Sequence, residues 1–255
     1  MLTNQDKTFQ TNSDTSSTSA ELSEKTIIIF DFDDTLFCTK YLETFSLCYE
    51  DIFKSKVSLE ELNPCLYKEI KELENEIIEL FITLKQFYDV IIISNADIKW
   101  INNCLIHFLD ELREYIVDND IKIFSAKNNK IRPKDWKVNC FKNVIKELYK
   151  DEYELNIISI GDSNEEKKAV MKFKNSKFIK MISYPSAKSI ILELNYLKKN
   201  IHNIICDSKL MYKMKIELKN NNIEINCISN CISDKLNENM FINKKRKKDN
   251  NYVDN

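Results

Sequence analysis

Two aspartates two residues apart, Asp31 and Asp33, close the apolar run Ile27 to Phe30 within Thr26-Ile-Ile-Ile-Phe-Asp-Phe-Asp-Asp-Thr-Leu-Phe37. On an extended chain residues i and i+2 share a face, so both carboxylates are expected to point the same way. Like charges that close need a cation between them or a proton on one of them. Other apolar runs also end in, or lead to, reactive groups: Ser94 follows Val90 to Ile93, Lys137 opens a helix after Ile121 to Phe124, and Asp162 follows Leu155 to Ile160. A hydroxyl, an ammonium and several carboxylates at one edge suit a phosphate held against a divalent cation. Hard oxygen ligands select Mg²⁺, which commonly binds through one or two carboxylates plus substrate phosphate. A lysine adds a point charge for the phosphate oxygens, and backbone N–H groups at helix starts add further donors.

These groups need elements that bring them together. Short β-branched runs read as buried parallel strands, here about 25–33, 90–93, 121–124, 155–160 and 178–182. Between them the apolar period becomes helical. Leu66, Ile70, Leu73, Ile77, Leu80 and Leu84 form one stripe, entered near Pro64, with Glu69, Lys71, Glu72 and Glu74 on the solvated side. Asp97 caps a helix carrying Ile101, Cys104, Leu105, Phe108, Leu109 and Leu112. Val138, Phe141, Ile145 and Leu148 carry the next helix; another opens near Glu165, and a last runs from Pro185-Ser186 to about 199. Strands alternating with helices predict a parallel sheet covered on both faces. The expected fold is α/β, a Rossmann-like three-layer sandwich with a mostly parallel five-stranded sheet, whose ligands lie at the carboxyl ends of the strands. The core is expected over 25–200, with 38–65 as a small flap or cap. In the extension 201–233 a hairpin, Tyr212 to Leu218 and Ile223 to Ile225, turns at Asn220-Asn221-Asn222.

Composition bounds the remaining choices. With 38 basic and 40 acidic residues the net charge is −2, so no global field favours nucleic acid or a membrane surface. Eight cysteines include no CxxC pair, which speaks against a zinc or redox motif. Apolar runs fall far short of the ~20 residues that span a bilayer, and no signal-peptide core is visible. A reduced, cytoplasmic protein is therefore expected, without membrane partners. Residues 1–24 are polar and read as disordered, as do 234–255. The basic run Lys244 to Lys248 reads as a solvated tail or a nuclear import signal. The chain has a single glycine, Gly161, which singles out one backbone position where a side chain would intrude.

Asp31-x-Asp33-x-Thr35-Leu36, Ser94, Lys137 and Gly161-Asp162-Ser163-Asn164-Glu165-Glu166 resemble, in order and spacing, the four motifs of the haloacid dehalogenase superfamily. The likeness covers about residues 25–195. It is closer to protist, viral and plant-type members with little or no cap domain, which share Ser94-Asn95-Ala96 with Trp100 downstream, and Trp136-Lys137 with Phe141. The resemblance implies a Mg²⁺-dependent phosphatase. Asp31 would be the nucleophile forming an aspartyl-phosphate, and Asp33 the general acid and base. Thr35 would bond the nucleophile's loop, and Ser94, Asn95 and Lys137 would hold the phosphoryl group. Asp31, the backbone carbonyl of Asp33 and Asp162 would ligate the metal, with Glu166 reaching it through water. Lys134, one turn from Lys137, and Glu165, beside Glu166, are alternatives for their roles. Asp34 is expected to remain in solvent.

About 60 residues separate Asp31 from Ser94, little for a full lid, so an open site for bulky, even macromolecular, phosphoesters is one expectation. A helical cover over 38–65 would instead favour metabolites. The substrate is a phosphorylated compound that the sequence does not identify. The competing class is a binding or scaffold protein that keeps the fold without turnover.

Overall fold

The structure is a computed structural model that describes residues 25–149, 155–219 and 222–230. Its first strand, β1 (Lys25–Phe30), pairs in parallel with β2 (Asp89–Ser94) on one side and β4 (Leu155–Gly161) on the other. With β3 (Lys122–Ser125), β5 (Ser176–Lys180), β6 (Met211–Lys219) and β7 (Asn222–Asn230) the sheet has seven strands in the order β3-β2-β1-β4-β5-β6-β7. All neighbours are parallel except β6 and β7.

Alternation along the strands divides the core. Ile27, Ile29, Ile91, Ile93, Ile157 and Phe178 face one layer, with Phe141, Val144 and Ile145 of α7 (Trp136–Leu148) and Ala169 and Val170 of α8 (Asn164–Val170). Ile28, Phe30, Ile92, Ile158, Ile160 and Ile179 face the other, against α4 (Pro64–Lys85) and α9 (Ala187–Cys206). A sheet buried on both faces needs near-continuous apolar strands, and these strands have them. The α/β three-layer arrangement is as expected.

The strand count is not. The expected five become seven because the C-terminal hairpin joins the sheet instead of standing beside it. Phe178 aligns with Met211 and Lys180 with Lys213, and Tyr212 and Met214 are buried. The boundary expected at 200 falls inside α9, which runs to Cys206. β5 lies two residues earlier than expected. The helix expected through Leu112 is two, α5 (Ile98–His107) and α6 (Asp110–Asp118). Leu109 leaves helical geometry at φ −134°, ψ 53° with no side-chain cap of its own. Glu74 of α4 supplies one, its Oε1 accepting from the Leu112 N–H at 2.9 Å. Glu74 is thus fully buried and paired with Lys71, not on a solvated face. Such a cap satisfies a helix-start N–H that would otherwise be orphaned.

The segment 38–65 holds three short helices, α1 (Thr39–Glu43), α2 (Tyr49–Phe53) and α3 (Leu59–Leu62), pinned to the core by Leu42, Ile52 and Leu59. No helix among the described residues is long and apolar enough to cross a membrane. The tails 1–24 and 234–255, with the basic run, and Asn220-Asn221 of the hairpin turn lie outside the described residues.

Candidate functional site at the carboxyl ends of β1 and β4

The strand order reverses between β1 and β4: one crossover from β1 leads to β2, while β4 comes back on its other side. In open α/β sheets the crevice outside the carboxyl ends at that reversal is where ligands bind. Asp31 leaves β1 there, its N–H still donating to the Ile160 carbonyl at 2.9 Å. Asp162 leaves β4 beside it.

Beyond Asp31 the chain folds into a tight turn. The N–H groups of Leu36 and Phe37 both donate to the Phe32 carbonyl, at 2.9 and 3.0 Å, and Asp34 takes a left-handed φ of 55°. A short polar side chain tolerates that conformation better than most. Its carboxylate is not in solvent, contrary to expectation: Asp34 is buried, accepts from the Lys40 N–H at 3.0 Å and pairs with Lys40 Nζ at 2.7 Å. The first turn of α1 thereby closes back over the end of β1. Thr35 is fully buried, but contrary to expectation its Oγ1 makes no hydrogen bond to this loop and has no partner among the described residues.

Carboxylate oxygens of Asp31, Asp162 and Glu166 lie within 4.8 Å of one another, all three residues buried. Lys137, second residue of α7, places Nζ 2.6 Å from Asp31 Oδ1 and 2.6 Å from Glu166 Oε1. Of the paired alternatives, Lys137 and Glu166 join this cluster. Lys134 is exposed in the 3₁₀ turn Pro133–Asp135, and Glu165 is bonded to Asn95 Nδ2. Glu166 brings its own carboxylate into the cluster, with Oε1 engaged by Lys137. It also caps α8: Oε2 accepts from the Ser163 N–H at 3.0 Å and from the Ser163 hydroxyl.

Gly161 is explained by the same side chain. A Cβ there would lie 2.5 Å from Glu166 Cγ, 3.0 Å from Cδ and 3.2 Å from Oε2. The glycine is needed because the acid folds across the end of β4, not for an unusual φ.

Asp33 stands apart from the cluster. Its Oδ1 accepts from Thr39 Oγ1 at 2.5 Å and from Trp100 Nε1 at 3.0 Å. Contrary to expectation, its carboxylate does not point with that of Asp31 into one cluster; β1 ends at Phe30, so strict alternation of faces does not extend to residue 33. Ser94 is buried at the tip of β2, its Oγ accepting from the Ala96 N–H at 3.1 Å. Asn95 Oδ1 is buried without a partner among the described residues. Asp97 caps α5 as expected, accepting from the Lys99 N–H at 3.0 Å.

Burial dominates the electrostatics. It raises Asp31 above the ordinary carboxylate range against the pull of Lys137. It raises Asp162 to about 6, with Glu166 adding to the rise and Lys40 opposing it. Burial also pushes Glu166 upward, but Lys137 and Ser163 outweigh it and hold this acid below its usual range. Three carboxylates and one ammonium leave a formal charge near −2 when all are ionised. A divalent cation would cancel that charge. In an octahedral Mg²⁺ shell neighbouring oxygens are about 3 Å apart and opposite ones about 4.2 Å, so oxygens within 4.8 Å would draw together by at most about 1–2 Å to share one ion. The donors are all hard oxygens, so the residues present fit the ion.

Sequence reasoning missed the supports behind Asp162. Its carbonyl accepts from Ser183 Oγ at 3.0 Å and from Lys180 Nζ. Glu193 of α9, fully buried, holds the next residue of that loop by accepting from the Ile182 N–H at 2.7 Å. Its Oε2 has no partner among the described residues, and burial raises its pKa to about 8. The apolar stripe of α9 gave no signal of this, since Glu193 reads there as an ordinary solvated position. Two clefts of about 270 and 250 Å³ open at the opposite, amino-terminal edge of the sheet, lined by residues such as Asn156 and Lys177 or Lys25 and Lys122. They share no residue with the acidic cluster.

Compared with protein-family models and with curated proteins, the chain gives no match.

Proposed function

We propose that the chain is a divalent-cation-dependent phosphomonoester hydrolase of the haloacid dehalogenase type, working through an aspartyl-phosphate on Asp31. The observation that carries this reading is the convergence of Asp31, Asp162 and Glu166 within 4.8 Å, with Lys137 between two of them, at the reversal point of the sheet. Solvated surface acids need no such convergence. Burying three of them costs several kcal/mol each unless charge is compensated, and a binding scaffold would gain nothing from that cost.

Mg²⁺ held by Asp31, Asp162 and Glu166, with the carbonyl of Asp33, would neutralise charge on the phosphoryl group. The chain's own groups account for the covalent steps. An Asp31 carboxylate oxygen attacks phosphorus as the ester P–O bond breaks, and the departing oxygen takes a proton from Asp33. Water then attacks phosphorus and yields its proton to Asp33; Asp31 leaves as carboxylate and inorganic phosphate is released. Lys137 beside the nucleophile balances the charge of the incoming phosphate. Ser94, Asn95 and the N–H groups at the start of α5 complete the phosphate cradle.

The test is turnover of p-nitrophenyl phosphate with Mg²⁺ by the wild type and by Asp31→Asn. Metal-dependent turnover lost in the variant supports the enzyme. Turnover unchanged by the substitution removes Asp31 as nucleophile, and none in the wild type across phosphoproteins, nucleotides and sugar phosphates favours the scaffold.

A further inference from the structure

Asp33 holds its carboxylate in an asymmetric way. Both donors that reach it, Thr39 Oγ1 and Trp100 Nε1, converge on the same oxygen, Oδ1. They come from separate elements, Thr39 from the start of α1 and Trp100 from the first turn of α5. The indole is itself clamped. The ring of Tyr49 meets it edge-on at 5.3 Å and 78°, and that of Phe53 at 5.6 Å and 71°, both from α2. Tyr49 and Phe53 also pack on Phe108 beyond the end of α5. Edge-to-face contacts of this kind fix ring orientation as well as position. An indole N–H can donate only, so Trp100 holds a carboxylate oxygen specifically as an acceptor.

We propose that Trp100, with Thr39, is a positioning residue that fixes Asp33 by Oδ1 and leaves Oδ2 as the oxygen that exchanges the proton with the leaving group. The helical segment 39–62 then serves the chemistry through the indole it clamps. The proposal rests on the phosphatase reading and extends it. An oxygen that accepts two hydrogen bonds has its lone pairs committed, while a rigidly held carboxyl transfers a proton along one direction. A misplacement of about 1 Å in such a group costs up to 10²-fold.

Leaving-group dependence separates this role from a structural one. Protonation matters when the departing alkoxide is strongly basic and little when it is p-nitrophenolate. The measurement is kcat/KM of the full chain with Mg²⁺ on an alkyl phosphate and on p-nitrophenyl phosphate, for wild type, Trp100→Phe, Thr39→Val and Asp33→Asn. Trp100→Phe keeps the ring and removes the N–H. It is expected to lose about tenfold or more on the alkyl ester while staying within about twofold on p-nitrophenyl phosphate, the pattern Asp33→Asn shows more strongly. Thr39→Val is expected to lose in the same selective way, and carries the test alone if Trp100→Phe does not fold. Equal losses on both esters, or none, in Trp100→Phe and Thr39→Val while Asp33→Asn remains selective would overturn the proposal and leave the phosphatase reading standing. An Asp33→Asn variant without selectivity would overturn Asp33 as general acid, and the positioning role with it.

Discussion

Replacing the one glycine by alanine probes the candidate site without touching any reacting group. In Gly161→Ala the new methyl would meet Glu166 Cγ at 2.5 Å, where ordinary contact begins near 3.4 Å. The acid must retreat by about 1 Å, and overpacking of this size costs about 1–3 kcal/mol. Glu166 cannot swing freely, because its two oxygens are tied to Lys137 Nζ at 2.6 Å and the Ser163 N–H at 3.0 Å. A 1 Å retreat stretches these beyond hydrogen-bond range, at about 1.5–3 kcal/mol for a bond to a charged group. With one of these bonds lost, the total is about 2.5–6 kcal/mol, or a Tm lower by about 5–24 °C for a chain of this size. Mg²⁺ demands near-ideal geometry, so the affinity read from the Mg²⁺ dependence of Tm should fall about 10–100-fold, as when a group supporting a ligand is lost. The control is the same substitution in a Glu166→Ala background, where the methyl has nothing to strike. There it should cost almost nothing, giving a coupling well above 1 kcal/mol for contacting residues. An equal penalty in both backgrounds would show that the strain lies in the β4 backbone, and would refute the contact with Glu166 as the reason for the glycine.

Two further outcomes follow from the same geometry. Lys137→Met leaves Asp31 and Glu166 buried without their ammonium; thermal melting should show a loss of about 3–5 kcal/mol, partly restored by millimolar Mg²⁺, whereas unchanged stability would mean that the two acids are solvated. Glu193→Gln bears on pH dependence. The folded protein holds the Glu193 proton up to about pH 8 while the unfolded chain releases it in the ordinary carboxylate range. Unfolding therefore sheds a proton across this window, and wild-type stability falls as pH rises through it by at most about 1.4 kcal/mol per unit. Glutamine does not titrate, so denaturant unfolding from pH 5 to pH 8 should show the variant gaining on wild type as pH rises. A constant difference would show that Glu193 is ionised throughout.

Much of this arrangement is visible in sequence because the fold is local in kind. Parallel strands buried on both faces must be apolar along their length, so β1, β2 and β4 announce themselves, and the candidate groups sit at their ends or within three residues past them. Lys137 and Glu166 stand within one turn of the competing Lys134 and Glu165, so spacing along the chain favoured the first pair without excluding the second; helix phase, fixed by Phe141 in α7 and by the Ser163 cap of α8, decides which side chain turns inward. What escapes a linear reading are partners supplied from far along the chain. Glu74 caps α6 across 38 residues, and Trp100 reaches Asp33 across 67. Neither leaves a periodic mark. The hairpin strands were legible, but their attachment to β5 was not, because edge pairing depends on where α9 delivers the chain. Asp34 misled for a related reason: an acid in a tight turn reads as solvated unless Lys40 is known to fold back over it.

The most direct measurement is isolation of the covalent intermediate. Full-length protein turning over a phosphomonoester with Mg²⁺ is quenched in acid, digested and examined by mass spectrometry. One phosphoryl group is expected on the peptide containing Asp31, removed by hydroxylamine as an acyl phosphate is, and absent from Asp31→Asn. Active turnover with no phosphoryl group on Asp31, or with one on a serine or histidine elsewhere, would contradict an aspartyl-phosphate mechanism.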